Sequence, residues 1–378
     1  MGAETLTGHP SAHPTVLSDP SRRVATAPLV ARDGVTFTFA DPERLLAGVG
    51  LHQELRRPRH GPDFRFDPGS GAWTLFWPRP DVHRMEYRFE LRNHDGGTES
   101  ICDPANPAVA PGPFGDKSVV EWPEYSEPAW CRVERHEGGT TQHVELPSRV
   151  LRAAVPALVW TSPGGDEAAP LPLLVAHDGP ELAAYSRLLD LLAVMVSQGV
   201  LPPLRAALLA PVDRDQHYSA SAAYARALAL ELIPALHALA PVPAGTAMRV
   251  GMGASLGALS MLHAQRAYPS LVGALFLQSG SFFRQRFDRQ ESEFVRFGRI
   301  TRFVGRILAA RDWPHSIPVT MTCGGVEENL ANNRMTFDAL VAQGYDASLH
   351  EIRDAHNWIA WRDAFDPHLV ALLARMWT

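Results

Sequence analysis

From about residue 140 to its end, the chain alternates between short apolar runs and segments with helical spacing. Continuous apolar runs of this kind are typical of strands that are buried on both faces of a parallel sheet. Strands that alternate with helices predict a doubly wound α/β sheet, because each helix carries the chain back across one face of the sheet. The strand-like runs are 144–146, 157–160, 171–176, 205–211, 248–252, 273–277, 319–323 and 348–352, and the main helical patterns are 181–197, 218–239, 258–267 and 333–343.

A different pattern precedes this region. Apolar and polar residues alternate in short segments, which indicates half-buried strands, and turn signals such as Asp67-Pro68-Gly69 separate them. The segments are 35–39, 64–66, 72–77, 85–91 and 118–122. This spacing predicts a small antiparallel β-sandwich over residues 33–135, followed by the α/β domain over residues 140–378. Residues 1–32 are rich in Pro, Ser, Thr and Ala without a period, and we expect a flexible N-terminal arm there.

Composition narrows the class of protein. The 378 residues carry 41 acidic and 35 basic side chains, a net charge of −6, which argues against nucleic acid as the main partner. No continuous apolar stretch approaches the roughly 20 residues of a membrane span. The first 30 residues contain no apolar core of a secretory signal. We therefore expect a cytoplasmic protein with neither nucleic-acid nor membrane partners, while the sequence does not indicate an oligomeric state.

The cysteines and histidines do not suggest a metal centre. Cys102, Cys131 and Cys323 are too few for a disulfide framework, and they lack the spacing of a metal site. The histidines are dispersed along the chain. We predict no metal site and no resident cofactor.

The sharpest local motif is Gly253-Ala254-Ser255-Leu256-Gly257, which matches G-x-S-x-G between a strand and a helix. A tight turn at this place exposes the Ser255 hydroxyl above the sheet, and the two glycines allow strand and helix to approach closely. The N–H of Leu256, beside the helix N-terminus, then faces the same space and can stabilise an oxyanion. The alternative is a glycine-rich turn that contains a serine by chance.

A serine nucleophile needs a general base and an acid that orients it, and in this type of sheet both follow the serine. His356 lies in the loop after the last strand, where a base is expected, although a loop-capping role would also suit it. Glu327 and Glu328 follow strand 319–323, and either carboxylate could accept the imidazole N–H. We expect one of the two to be catalytic and the other to lie on the surface, and we favour Glu328.

The second oxyanion donor is expected after strand 171–176, in the segment His177-Asp178-Gly179-Pro180-Glu181. Because proline has no N–H, Gly179 or Glu181 would have to donate. Asp178-Gly179 is also an ordinary turn signal, so the position of this segment supports the role more than its sequence does.

Several segments together resemble the enterochelin-esterase-like branch of the α/β-hydrolases. In the C-terminal part they are 176–181, 211–214 with Arg214, 231–234, the 253–257 motif, 278–283 and 354–362; in the N-terminal part they are 71–73, 87–89, 103–107 and 118–120. The resemblance covers most of residues 35–375. It implies an α/β-hydrolase preceded by an immunoglobulin-like sandwich domain, and it places Asp178 and Arg214 near the substrate.

The resemblance also implies an activity. A serine esterase would act through Ser255, His356 and a carboxylate on a small-molecule ester, such as the catecholate-serine lactone of a siderophore. Acyl transfer and hydrolysis of feruloyl or acetyl carbohydrate esters are the alternatives, and a non-catalytic binding protein is a further one. Ala254 stands where the siderophore esterases commonly have glutamine.

Two aromatic features allow two interpretations each. Residues 282–306 interleave arginine with phenylalanine, which suits either a cap that contacts the substrate or an amphipathic helix with its phenylalanines in the core. Trp73, Trp77 and Trp122 could form an aromatic platform or anchor the core of the sandwich.

Overall fold

The computed structural model describes residues 26–55, 60–133 and 138–378. The N-terminal strands are β1 (Leu29–Val30), β2 (Gly34–Ala40), β3 (Leu46–Gln53), β4 (His60–Asp63), β5 (Arg65–Asp67), β6 (Ala72–Pro78), β7 (Arg84–Asn93), β8 (Thr98–Ile101), β9 (Val109–Ala110) and β10 (Lys117–Glu121). The strands that follow are β11 (Thr140–Ser148), β12 (Ala153–Thr161), β13 (Leu173–His177), β14 (Arg205–Leu209), β15 (Arg249–Ala254), β16 (Ala274–Gln278), β17 (Pro318–Gly324) and β18 (Asp346–Ile352). The α-helices are α1 (Gly179–Ser186), α2 (Leu188–Ser197), α3 (Arg214–Tyr218), α4 (Ala222–Ala227), α5 (Ile233–Leu239), α6 (Leu256–Ala267), α7 (Phe297–Ala309), α8 (Leu330–Ala342), α9 (Trp358–Asp363) and α10 (Val370–Trp377).

The first ten strands form two antiparallel sheets that face each other across one core. One sheet has the order β1-β2-β6-β5, and the other has the order β4-β3-β7-β10-β9 with β8 paired to β7. Phe37 of β2 lies 4.7 Å from Tyr87 of β7 between ring centroids, so side chains of the two sheets interlock. Trp73, Trp77 and Trp122 are all buried in this region, which favours the core interpretation for them.

A strand lies within the last residues of the segment that was expected to be a flexible arm. Residues 1–25 lie outside the described residues, but Leu29–Val30 are strand β1 rather than part of a loose arm that extends to residue 32. The N–H of Ala31 donates to the carbonyl of Gly34 at 2.8 Å and closes the turn into β2. Backbone pairing holds this edge strand, because the side chain of Leu29 is exposed and contributes little burial.

The last eight strands form one sheet with the order β11-β12-β14-β13-β15-β16-β17-β18. β12 runs antiparallel to β11 and β14, and the pairs from β14 to β18 are parallel. The carboxyl ends of β13, β15, β17 and β18 therefore share one edge of the sheet, where the chain leaves each strand for a loop or a helix. Buried apolar side chains pack on both faces of this sheet, as the continuous apolar runs predict.

Two of the expected helices are interrupted. The segment 181–197 forms α1 and α2, which are separated at Arg187 by a left-handed backbone with a φ of 55°. In the segment 218–239, Tyr218 is the last residue of α3 and the helix resumes at Ala222, because Ala220 between them also has a positive φ of 54°. Among the described residues, the helical run Ala222–Leu239 is by length and composition apolar enough to cross a membrane, but Tyr224, Leu228 and Leu232 within it are core residues beside the eight-stranded sheet.

Candidate active site

Ser255 stands at a sharp turn between β15 and α6. Its φ of 55° and ψ of −121° are strained for a residue with a side chain. Backbone hydrogen bonds hold this conformation: the N–H of Ser255 donates to the carbonyl of Gln278 at 2.9 Å, and its carbonyl accepts from Leu259 at 3.2 Å and from Ser281 at 3.1 Å. The turn therefore presents the hydroxyl at the carboxyl edge of the sheet.

The glycines on either side of the turn are needed for close packing. A Cβ at Gly253 would lie 2.4 Å from the carbonyl carbon of Gly257, and a Cβ at Gly257 would lie 3.1 Å from the Cβ of His177. Backbone atoms cannot move aside as the end of a flexible side chain can. Strand β15 and helix α6 thus approach to a distance that only glycine allows.

Replacing Gly253 with alanine should lower the free energy of unfolding by at least about 2 kcal/mol, because the new methyl group overlaps the backbone of α6. Gly305→Ala is the matched control: Gly305 is exposed on α7 with no atom within 4 Å of an added Cβ, and this change should raise stability by about 0.5–1 kcal/mol. Urea unfolding of the three proteins measures both effects. Equal stability of Gly253→Ala and the wild type would contradict the close-packing argument.

His356 follows β18 and is paired with Glu327. Its Nδ1 lies 2.8 Å from Oε2 of Glu327, and because a carboxylate only accepts, Nδ1 carries the proton in this pair. The other oxygen of Glu327 accepts from the Ser279 hydroxyl at 2.6 Å and from the Gly324 N–H at 2.7 Å. Ser279 in turn accepts from the Trp361 indole at 3.0 Å. The buried carboxylate is thus fixed, and Nε2 of His356 is left in the form that accepts a proton.

The structure places Glu327, rather than the favoured Glu328, against the histidine. A tight turn after β17, in which the N–H of Glu327 donates to the carbonyl of Gly324 at 3.1 Å, directs the Glu327 side chain inward. The side chain of Glu327 is only 1% exposed in its pair with His356, whereas Glu328 is an exposed residue. We expected one of the two glutamates to be catalytic and the other to lie on the surface. The structure has one of each kind of position, but the buried residue is Glu327 and the surface residue is Glu328.

Ser255 and His356 line the same two cavities. The first, of about 400 Å³, also contains Trp358 and Trp361 together with Phe114, which comes from the N-terminal part. The second, of about 500 Å³, is lined by Ser281, Phe283, Glu327 and Glu328. Within it, the hydroxyl oxygens of Ser255 and Ser281 lie 3.1 Å apart. The structure thus gathers the predicted nucleophile and base at one opening.

The expected oxyanion segment begins at the end of β13 and lies beside the serine turn. Gly179 is the first residue of α1, as Leu256 is the first residue of α6, and N–H groups at such positions have no acceptor within their helix. A Cβ at Gly179 would lie 2.4 Å from Cα of Leu208, so this position also requires glycine. Glu181 also lines the first cavity.

An ion pair and a buried histidine brace this segment. Arg214 donates to both oxygens of Asp178, at 2.9 Å and 2.7 Å, and both residues line the first cavity. His177 lies with Nδ1 3.0 Å from the carbonyl of Gly257, and burial lowers the pKa of His177 to about 4, so the ring is neutral and donates from Nδ1. The oxyanion segment and the first turn of α6 are therefore linked directly.

Sequence reasoning missed part of the site. Ser279, Ser281 and Trp361 lie within segments 278–283 and 354–362, which resemble the enterochelin esterases, but nothing in the sequence indicates a role for them. Phe114 lies between the predicted strands 85–91 and 118–122, and its place at the cavity depends on the packing of the N-terminal part. Phe282, Phe297 and Phe303 of segment 282–306 are buried, as the amphipathic interpretation expects. Phe283 and Glu291 of the same segment line the second cavity, as a cap would, but no arginine of the segment lines either cavity within the described residues.

The described residues contain no group of three or more His, Cys, Asp or Glu side chains that could hold a metal ion.

Comparison with known proteins places this geometry in context. No protein-family model matches the chain. The iron(III) enterobactin esterase of Dickeya dadantii is 28% identical over 214 residues, which is 54% of this chain and 48% of that protein. The protein of the same name from Escherichia coli strain K12 is 28% identical over 211 residues, which is 54% of this chain and 51% of that protein.

Solved structures match over a longer range. The ferric enterobactin esterase of Salmonella typhimurium has a TM-score of 0.74 at 21% identity, and the match covers 94% of this chain and 97% of that one. The enterobactin esterase of Shigella flexneri, solved in the presence of enterobactin, has a TM-score of 0.74 at 20% identity. This match covers 94% of this chain and 96% of that one. The chain is similar in sequence and in fold to the enterobactin esterases. The predicted resemblance is therefore confirmed, as is the α/β class of the fold.

The similarity to the enterobactin esterases has a defined extent. The chain spans about half the length of the curated relatives it matches. A structure named ferulic acid esterase has a TM-score of 0.54 at 15% identity, and this match covers 63% of the present chain and 99% of the other. That likeness concerns the fold alone.

Proposed function

We propose that the chain is a serine hydrolase of carboxylic esters, in which Ser255 is the nucleophile, His356 the general base and Glu327 the acid that orients it. The observation that carries this proposal is the strained Ser255 turn beside His356, whose Nδ1 lies 2.8 Å from Glu327. Glu328 is proposed to be a cavity residue without a part in proton transfer, since it is exposed at the second cavity.

The reaction proceeds by two acyl transfers. His356 takes the proton of Ser255 as the serine oxygen attacks the ester carbonyl, and the N–H groups of Leu256 and Gly179 stabilise the oxyanion. Collapse of this intermediate breaks the carbonyl–oxygen bond of the ester, and the alcohol leaves with the proton from His356. Water then attacks the acyl-serine with His356 as base, which releases the acid and restores the Ser255 hydroxyl.

We propose a catecholate siderophore ester of the enterobactin type as substrate class. The relatives named iron(III) enterobactin esterase support this choice, as does the aromatic lining that Phe114, Trp358 and Trp361 give the first cavity. Iron would arrive as part of the substrate. We also propose that the N-terminal sheets, from Leu29 to about residue 133, are an immunoglobulin-like sandwich domain, and that residues 140–378 are the catalytic domain.

A substrate panel and an active-site probe test the proposed function together. The protein should hydrolyse p-nitrophenyl acetate and release dihydroxybenzoyl-serine units from enterobactin, with and without iron. A fluorophosphonate probe should modify one residue, and peptide mass spectrometry should place the label on Ser255. An added sugar acceptor distinguishes acyl transfer, because acylated sugar would then exceed free acid. Folded protein that neither reacts with the probe nor cleaves any ester would contradict the proposal and favour a binding role.

A further inference from the structure

The N-terminal sheets contact the loops that carry both His356 and Glu327. Ala355, directly before His356, is 3% exposed and belongs to the core between these sheets. Val326, directly before Glu327, packs against the same core. In addition, the N–H of His83 donates to the carbonyl of Arg353 at 2.9 Å. The base and the acid are therefore supported from the N-terminal part as well as from the eight-stranded sheet.

Arg84, the first residue of β7, makes the polar part of this contact. Its guanidinium lies 3.3 Å from Oδ1 of Asn357 and 3.6 Å from Oδ2 of Asp354, so it reaches both sides of His356. A second nitrogen donates to Glu86 on the same strand at 2.8 Å. The Arg84 side chain is only 3% exposed, and this burial keeps solvent from competing for its hydrogen bonds.

Asp354 and Asn357 determine the shape of the loop between them. Oδ1 of Asp354 accepts from the N–H of Ala355 at 2.7 Å and from the amide of Asn357 at 2.8 Å. Oδ1 of Asn357 accepts from the N–H of Ala360 at 2.8 Å and so caps α9. The backbone on each side of His356 is thus tied to the two side chains that Arg84 holds.

Arg84 lies beside two buried acidic side chains, Asp354 and Glu86, and affects their charge. Burial raises the pKa of Asp354 to about 7, Arg84 opposes this shift, and Glu86 adds to it. A buried cation between Asp354 and Glu86 therefore favours the ionised form of Asp354. Lys117 also neutralises Glu86, at 3.3 Å, but it comes from β10. Without Arg84, the cation that opposes the rise in the pKa of Asp354 would be gone, and the buried carboxyl would bind a proton instead of accepting from a guanidinium.

We propose that Arg84 is a positioning residue for the ester hydrolysis proposed above: through Asp354 and Asn357 it holds the loop that presents His356 to Ser255. This inference rests on the proposed function. Arg84 itself is not among the residues that line either cavity with Ser255 in the described parts of the chain. It therefore acts on the placement of the base and not on contacts with the substrate.

Kinetics of Arg84→Met test the assignment. The variant should lower kcat for p-nitrophenyl acetate by about tenfold or more, because a small misplacement of a catalytic group is costly, while KM changes by less than about twofold. The matched control is Arg353→Met: Arg353 belongs to the same loop and forms an ion pair with Asp81 at 3.1 Å across the same boundary, but that pair is exposed. The control should retain wild-type kcat, since an exposed pair contributes little.

Kinetics of Asp354→Asn and of the double variant distinguish positioning of His356 through Asp354 from a general loss of structure. If Arg84 acts through Asp354, the two single effects on kcat should not multiply in Arg84→Met/Asp354→Asn. Unchanged kcat in Arg84→Met, an equal loss in Arg353→Met, or effects that multiply fully would each overturn the inference. Should Arg84→Met fail to fold, Asp354→Asn decides alone, with a fall in kcat of about fivefold or more supporting the inference and wild-type kcat overturning it. A wild-type protein without esterase activity would instead count against the proposed function.

Discussion

Ser255→Ala should lower kcat for ester hydrolysis by at least about 10³-fold and abolish labelling by a fluorophosphonate probe. Without the hydroxyl, no acyl-enzyme can form, and only the oxyanion donors and substrate binding remain. Alanine keeps the Cβ of serine and removes only the hydroxyl. The backbone strain at the φ of 55° therefore does not change, and the fold should persist. Initial rates with p-nitrophenyl acetate and with enterobactin measure the loss, and a thermal melt checks the fold.

Ser281→Ala is the control for this variant. The Ser281 hydroxyl lies 3.1 Å from that of Ser255 and lines the second cavity, so it is the nearest described alternative nucleophile. We expect a change in kcat of less than about tenfold, the scale of one lost hydrogen bond between neutral groups. A larger loss of kcat in Ser281→Ala than in Ser255→Ala would identify Ser281, rather than Ser255, as the nucleophile.

Glu327→Gln should lower kcat by about 10²–10⁴-fold with little change in KM. The amide retains the volume of the carboxylate and an oxygen for the donors Ser279 and Gly324. Its NH₂ group would then face Nδ1 of His356, which favours the ring tautomer with the proton on Nε2. That tautomer cannot accept the proton of Ser255, so the loss falls on the chemical step.

The adjacent residue supplies a matched control. Glu328→Gln makes the same chemical change one position along the chain, on an exposed side chain that lines the same cavity. Its kcat should stay within about threefold of the wild type, and the pH profile should not shift. A larger loss of kcat in Glu328→Gln than in Glu327→Gln would identify Glu328 as the acid and contradict the proposed geometry.

The sequence predicts the nucleophile and the base because their signals are local. Ser255 lies in a five-residue motif between a strand and a helix, and His356 follows the last strand. The choice between Glu327 and Glu328 depends on which side chain the turn after β17 directs inward. Neighbouring residues of the same type carry no sequence signal for that difference, whereas the hydrogen bonds of Gly324 and Ser279 to Glu327 decide it.

Long-range contacts account for most of what the sequence did not indicate. Arg84 and Asn357 are 273 positions apart, and nothing near either residue points to the other. Strand β3 went unpredicted because Gly48 and Gly50 weaken its alternating pattern, yet pairing with β7 forms it. The breaks at Arg187 and Ala220 are single left-handed residues without glycine, so the helical periodicity continued across them in the sequence.

Ala355 belongs to the core of the N-terminal sheets and Val326 packs against it, which has a consequence for how packing defects there affect the site. The packing that holds the N-terminal sheets together also holds the backbone next to His356 and Glu327. For the esterase proposed above, a small cavity beneath Tyr87, far from the opening, should therefore lower the rate of hydrolysis before it unfolds the chain.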